Sequence, residues 1–353
     1  MRLALSRVLA PVLFGVIPAV VMSAALAWYW RTSQFAVDFH HGLYVQANQF
    51  LSTGTPFDPP DAVIVGNNRV GTLFTTFFVA PFTLLPPLWA DVVMTGLVLA
   101  AGVATLWVLD VRDWRVYGVV GLWSPIISAV QTANLTLFLG LLIALAWRYR
   151  QRYALSGLFV GLAIAVKLFP WPLVIWLVGT RRYAAAVTAV VVALTSFVLI
   201  LPFADPLDYF TLLHRLSDSM GVGTYSLYGT TTLSRVVWIA LIGLVLLSAA
   251  RLDDRKSFTL AVAACFLVSP IVWLHYFSLL MVPLAIARPR LSAIWFLPLG
   301  NWGLSVAPGS DWQLARAIAI TGAIVGILLI EAFDGSGETP VSRGVRPSAR
   351  AAF

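Results

Sequence analysis

Asp38 is the residue of this chain best suited to general-base chemistry. It is a carboxylate just beyond a membrane-length apolar run, beside His40 and His41, in the stretch FAVDFHHGLYVQANQFLSTGTPFDPP from Phe35 to Pro60. A partly apolar neighbourhood raises a carboxyl pKa toward working pH, as a base that takes a proton from a hydroxyl requires. The plainer reading is an aspartate that caps the helix beginning at Phe39. Asp58 and Asp61, in FDPPD, read as turn chemistry.

Lys167 is one of only two lysines and closes the apolar run GLFVGLAIAVKLFPWPL. An ionisable group there either snorkels to the interface or meets a partner, and an anionic lipid headgroup or phosphate is the obvious one. His275 and Tyr276 lie between two apolar runs in SPIVWLHYFSLLMVPL. A lone interfacial histidine is more often structural. Gln131 and Asn134, in SAVQTANLTLFLG, are polar groups in an apolar turn, able to bond sugar hydroxyls or merely to satisfy the turn's backbone. Asp38, His40 and His41 are a conceivable metal cluster, but adjacent histidines on a helix point about 100° apart, and no HExxH or CxxC is present. The chain also lacks a P-loop, a GxGxxG in βαβ context and a GxSxG elbow.

The elements that must position these residues are membrane helices. Of the 353 residues, 60% are hydrophobic and 11% charged, and the mean hydropathy is +0.88, against about 45–50% apolar and about 25% charged in soluble domains. The net charge of +8 and pI near 10.0 come from arginines in short groups between apolar runs, such as Arg148, Arg150 and Arg152. That is the positive-inside pattern, not a nucleic-acid patch. The only cysteine, Cys265, lies in an apolar run, which excludes an intrachain disulfide.

The run from Val8 to Trp30 exceeds a signal-peptide core and ends in an aromatic belt, so it is expected to be an uncleaved first span. With Arg2 and Arg7 inside, the Asp38 loop is outside. The segment 72–87, carrying Pro81, Pro86 and Pro87, is expected to be broken and partly inserted or re-entrant. About twelve spans follow: 8–30, 90–110, 115–130, 134–147, 154–167, 169–180, 183–203, 233–250, 257–273, 275–287, 291–306 and 313–331. Both termini are then cytoplasmic. Asp38, the 131–134 turn, Lys167 and His275 share the outer side, where short broken helices imply an internal cleft. The stripe Phe39, Leu43, Ala47 and Phe50 suits a helix on the membrane surface. Residues 1–333 read as one transmembrane domain, with 31–71 its long first loop, and 334–353 as a disordered cytoplasmic tail.

The Asp38 loop, a proline-bearing segment ending LLPP, QTANLTLFLGLLIALA, SGLFVGLAIAVKLFPWPLVIWLV and SPIVWLHYFSLL together resemble glycosyltransferase family 87 of the GT-C superfamily, the polyprenol-phosphate-mannose-dependent mannosyltransferases. The resemblance runs through about residues 1–330. It implies an all-α transmembrane bundle in the plasma membrane that transfers mannose from a polyprenyl-phosphate donor to a glycolipid or glycan acceptor on the extracytoplasmic side. The lipid donor is a co-substrate, and neither cofactor nor metal is expected. Carried over by position, Asp38 matches the proposed base, Gln131 and Asn134 the Gln-x-x-Asn turn, Lys167 the Lys-x-x-Pro element and His275 the later histidine. Tyr276, His40 and His41 are expected to contact substrate, and Arg69 or Arg235 to help hold the departing phosphate. The chain departs from the family at His40-His41, where a second aromatic is frequent, and at Asn67 to Gly71, where Tyr-Pro is common. An arabinosyltransferase, a flippase for a lipid-linked sugar and a structural membrane subunit are the alternatives.

Overall fold

The computed structural model describes residues 9–64, 68–220, 223–227, 232–308 and 310–330, and among these there is no β-strand. The helices needed below are α1 (Ile17–Arg31), α2 (Val45–Thr53), α3 (Leu73–Val79), α4 (Pro87–Val108), α5 (Trp114–Gly121), α6 (Ser124–Gln131), α7 (Thr136–Arg148) and α8 (Tyr153–Val166). They continue with α9 (Pro172–Gly179), α10 (Tyr183–Val198), α11 (Pro206–Met220), α12 (Thr232–Ala249), α13 (Asp254–Val268), α14 (Met281–Ala287) and α15 (Asp311–Ile330). Tighter or wider turns extend some of them: π-helical turns at Asp38–Tyr44 and 3-10 turns at Ala80–Leu84, Leu274–Leu280 and Ala293–Asn301.

The protein is inside out relative to a soluble bundle. On α10 the large aliphatics Val187, Val191, Leu194 and Val198 are exposed, whereas Ala185, Ala189, Ala193 and Ser196 are buried. A stripe of exposed branched side chains at helical spacing is the face a lipid environment covers. The buried stripe is small so that backbones can approach. Gly157 and Gly161 of α8 lie against the carbonyls of Ala185 and Ala189, where an added Cβ would collide, a small-xxx-small crossing of the kind that packs helices in membranes. The chain is thus membrane-embedded. Among the described residues, three helices are long and apolar enough to cross by themselves, Leu9–Arg31, Pro87–Val108 and Asp311–Ile330, and α6 with α7 forms a pair bent by 115°.

Proline sets many of the breaks. Pro125 at the start of α6 separates it from α5, so the expected 115–130 span is two helices. The expected 291–306 span contains the nine-residue 3-10 helix Ala293–Asn301, with Pro298 inside it. Residues 73–84 form a helix that tightens to 3-10 geometry at Ala80-Pro81, in keeping with a broken segment.

One correction concerns the first connection. The stripe Phe39, Leu43, Ala47 and Phe50 faces protein and not the membrane: Phe39, Ala47 and Phe50 are buried, Leu43 packs on the main core, and Phe39 meets Phe82 edge-on at 5.8 Å. The other long connection holds helix α11, whose Tyr209 and Leu212 join Phe50, Phe57, Leu73 and Ile200 in a second apolar cluster. Tyr209 Oη donates to the carbonyl of Val70 at 3.2 Å, and Arg215 to that of Pro60. The two long connections therefore form one packed layer. The proposed tail 334–353 lies outside the described residues.

Candidate active site

Asp38 opens the π-helical turn that follows α1. Its position is fixed from the far side of the sequence by the α6–α7 turn. The Ala36 amide donates to the carbonyl of Gln131 at 2.7 Å and the Phe39 amide to that of Thr132 at 3.2 Å. Gln131 Nε2 returns a bond to the carbonyl of Gln34. Both strands of this junction carry a non-glycine residue in the left-handed region, Ala36 at φ 53° and Ala133 at φ 51°. Such backbone costs about 1–3 kcal/mol per residue and persists where its surroundings over-determine it.

Asn134 then meets the carboxylate. Its Nδ2 donates to Asp38 Oδ2 at 2.8 Å. Its Oδ1 accepts from the Thr136 amide at 3.0 Å, the Thr136 hydroxyl at 2.6 Å and Lys167 Nζ at 3.1 Å. Three donors on one oxygen fix the amide's orientation, so the NH2 must face Asp38. Lys167 follows the last residue of α8 in extended conformation, because Pro170 and Pro172 forbid the helix to continue. The orphan carbonyls of Ala165 and Val166 accept from the hydroxyls of Thr72 and Thr75 at 2.5 and 3.2 Å. The lysine's Nζ also donates to Tyr276 Oη at 3.3 Å and lies 4.6 Å from the centre of that ring. Phe169 stacks on Tyr276 with ring centroids 4.9 Å apart.

Asp38 and Lys167 are half-buried, while Asn134, His275 and Tyr276 are buried behind them. His275 is 1% exposed, its ring lies 5.0 Å from that of Tyr276, and neither ring nitrogen has a partner among the described residues. Crowding out of water pushes the Asp38 carboxyl above its ordinary range, and the Asn134 bond and the Lys167 charge oppose but do not cancel this. A carboxylate of raised basicity, a cation held one amide away and an unsatisfied buried imidazole suit proton removal beside a developing negative charge.

Residues more than 200 positions apart thus meet at one cluster: Asp38, Asn134, Lys167, Tyr276 and His275 come together. Gln131 buttresses the Asp38 loop from below. Arg69 is committed elsewhere: its Nε donates to Asp58 Oδ1 at 2.5 Å and its amide to Asp58 Oδ2 at 2.9 Å, so its charge is already matched. The side chain of Arg235 lies outside the described residues. His40 leaves the helix on a different side, with Nδ1 2.8 Å from Asp91 Oδ2 and its ring stacked on Tyr44. Among the described residues no three His, Cys, Asp or Glu side chains are grouped to hold a metal ion.

Sequence reasoning passed over Asp91. Its signal was available, since a lone acid at the start of an apolar span is a functional hypothesis by default.

Residues 71–276 match the family model of glycosyltransferase family 87. An all-helical membrane protein with a carboxylate and a cation converging at helix breaks is the class that the fold and cluster define. The chain belongs to glycosyltransferase family 87 and is a hexosyl-transferring enzyme. Among curated proteins it is similar to the polyprenol-phosphate-mannose-dependent alpha-(1-2)-phosphatidylinositol pentamannoside mannosyltransferase of Mycobacterium tuberculosis, 29% identical over 315 residues, covering 77% of this chain and 70% of the relative. The protein of the same description from Mycolicibacterium smegmatis is 27% identical over 316 residues, covering 77% of this chain and 74% of the relative. No solved structure matches.

Proposed function

We propose that this enzyme moves a mannosyl residue from a polyprenyl-phosphate donor to a glycolipid acceptor, with inversion, at the Asp38–Asn134–Lys167 cluster. The donor class is the one by which the two relatives are named. The observation that carries the mechanism is the carboxylate of Asp38 held by Asn134 Nδ2 at 2.8 Å while Lys167 holds that amide's oxygen at 3.1 Å. Asp38 accepts the proton of the acceptor hydroxyl as its oxygen attacks the anomeric carbon. The bond from that carbon to the lipid phosphate breaks, and its electron pair leaves on the phosphate oxygen. Lys167 meets that growing negative charge, with the buried His275 beside Tyr276 in support, and a single phosphate leaving group is within the reach of one ammonium without a divalent ion or other cofactor. A β-linked donor then gives an α-linked product.

The packing of the 31–71 loop against α11 supports one common side for both long connections, and the arginine-rich short loops support the other side as cytoplasmic. The site then faces the outside, with both termini and about twelve spans arranged as the charge pattern requires.

The test is purified protein in lipid nanodiscs with radiolabelled polyprenyl-phosphate mannose and a phosphatidylinositol mannoside acceptor. A new α-mannosylated lipid is expected from the wild type and none from Asp38→Asn. Undiminished turnover by a folded Asp38→Asn protein removes the base assignment, and donor movement across the bilayer without product supports a transporter.

A further inference from the structure

On the side of the Asp38–Tyr44 turn away from the reacting cluster lies a second site. Residues two apart on a helix do not face each other, so Asp38 and His40 serve different spaces. The second space is an open surface cavity of about 400 Å³ whose lining includes Trp30, Phe35, His40, His41, Leu88 and Asp91. Asp91 is the unusual member. Its side chain is only 10% exposed, it sits in the apolar helix α4, and while Oδ2 is 2.8 Å from His40 Nδ1, Oδ1 is buried with no partner among the described residues. A buried carboxylate oxygen left unmatched is costly and calls for a donor that the protein itself does not supply. With Asp91 on Nδ1, the His40 ring keeps Nε2 for a further partner.

A carboxylate with an unmatched oxygen and a histidine, lined by aromatic rings, suit a ligand rich in hydroxyl groups and C–H faces. The rings of Trp30 and Phe35 pack 5.4 Å apart in its lining. A carboxylate in the wall disfavours an anion. The depth is given by Trp28, Trp30 and Trp89, exposed by 65%, 52% and 60% at the adjoining ends of α1 and α4, the amphipathic belt of a membrane interface. The cavity therefore opens at headgroup level, beside lipid.

We propose that the His40–Asp91 cavity is an acceptor subsite that binds a neutral polyhydroxylated ring, a sugar or cyclitol, of a lipid headgroup and so orients the acceptor hydroxyl presented to Asp38 on the other side of the turn. This rests on the reading that the chain glycosylates a lipid-linked acceptor. His40 and Asp91 act as positioning residues and touch no reacting atom.

The experiment uses the full chain in nanodiscs for kinetics, and in detergent for calorimetric binding of short-chain phosphatidylinositol mannoside without donor. Short-chain phosphatidylinositol and phosphatidylglycerol are the comparison ligands. Asp91→Ala removes the carboxylate, and Leu88→Trp, at an exposed helical position, fills the cavity and decides the matter alone if the first variant does not fold. Each is expected to raise the acceptor KM and the mannoside Kd roughly 10- to 100-fold, the worth of hydrogen bonds to a charged group, with donor KM and kcat at saturating acceptor little changed. The inference is overturned if kcat falls with acceptor KM unmoved, if binding is unaltered, or if phosphatidylglycerol binds as well as the mannoside. Because binding is read without donor, it tests the subsite even if Asp38→Asn keeps full turnover, which would sink the base assignment alone.

Discussion

Asp38 and Asp254 are both aspartates set against arginine or lysine, and the spacing between charges separates their roles. Asp254, in the first turn of α13, takes a two-pronged contact from Arg182, Nη1 to Oδ1 at 2.7 Å and Nη2 to Oδ2 at 2.8 Å. Arg150 adds an ion pair at 3.2 Å and Trp176 Nε1 a bond at 3.1 Å. Every lone pair that matters is spoken for, and the cluster ties α13 to the segments that follow α7 and α9. At Asp38 the cation stays one amide away, bonded to Asn134 Oδ1 and not to the carboxylate. A direct ion pair would hold the carboxyl ionised and weakly basic. Interposing a neutral amide keeps orientation while leaving basicity and an open side for substrate.

The comparison breaks most visibly under isosteric amidation. Asp38→Asn should lower transfer by about 10²–10⁴-fold, the usual worth of a general base, with the protein still eluting as a monodisperse peak in gel filtration. Asp254→Asn, measured in the same assay per folded molecule, should stay within a few-fold of wild type. Equal losses in the two variants would erase the distinction between a reactive and a structural carboxylate.

Next in size is the cation. Lys167→Met removes the charge and keeps the length, and should cost about 10²–10³-fold in kcat, as loss of one donor to a developing negative charge does. The loss should be much smaller with a donor analogue whose leaving group is less basic than a phosphate monoester of a lipid alcohol. An equal loss with both donors would place Lys167 in the upkeep of Asn134 alone.

Much of this site is legible from composition and order. Asp38, Asn134, Lys167 and His275 stand out because a polar group is rare in an apolar chain, and placing the arginine loops on one side gathers them on the other. What spacing cannot deliver is pairing. Arg69 looks available in the sequence but is matched to Asp58 eleven residues earlier. Asp91 looks like the edge of a span and instead holds His40 across 51 positions. The stripe from Phe39 to Phe50 has the spacing of a surface helix, yet an apolar face reads the same whether lipid or protein covers it. Helix α11 falls between the expected spans 183–203 and 233–250 because its composition, PLDYFTLLHRLSDSM, is too polar for a span and its buried face rests on the first loop.

On stability the ranking of the two carboxylates reverses. Asp254→Ala leaves Arg182, 9% exposed, without its partner. Breaking a buried pair costs about 3–5 kcal/mol, and because Asp254 is itself 31% exposed the loss should fall nearer about 2 kcal/mol. A thermal-unfolding shift of several degrees in detergent is expected. No shift would show that the cluster is decorative.

The smallest effect is the most diagnostic of the Asp38 environment. Its carboxyl is raised in the folded protein by removal from water, so the protonated form is the one the fold favours. The stability contributed by that form is fully present below the unfolded value of about 3.9 and is lost as pH rises through the higher folded value. At neutral pH Asp38 is therefore a net burden, and Asp38→Asn should unfold at a temperature equal to or slightly above wild type, the margin shrinking as pH is lowered toward 4. The acidic limb of the wild-type pH–rate profile should sit above 3.9 for the same reason, because the base must ionise before it can act. Thermal scans of the two proteins between pH 4 and 8, set beside that profile, check both statements. A variant that is less stable than wild type at neutral pH would mean that Lys167 pairs with the carboxylate after all, and that Asp38 belongs with Asp254.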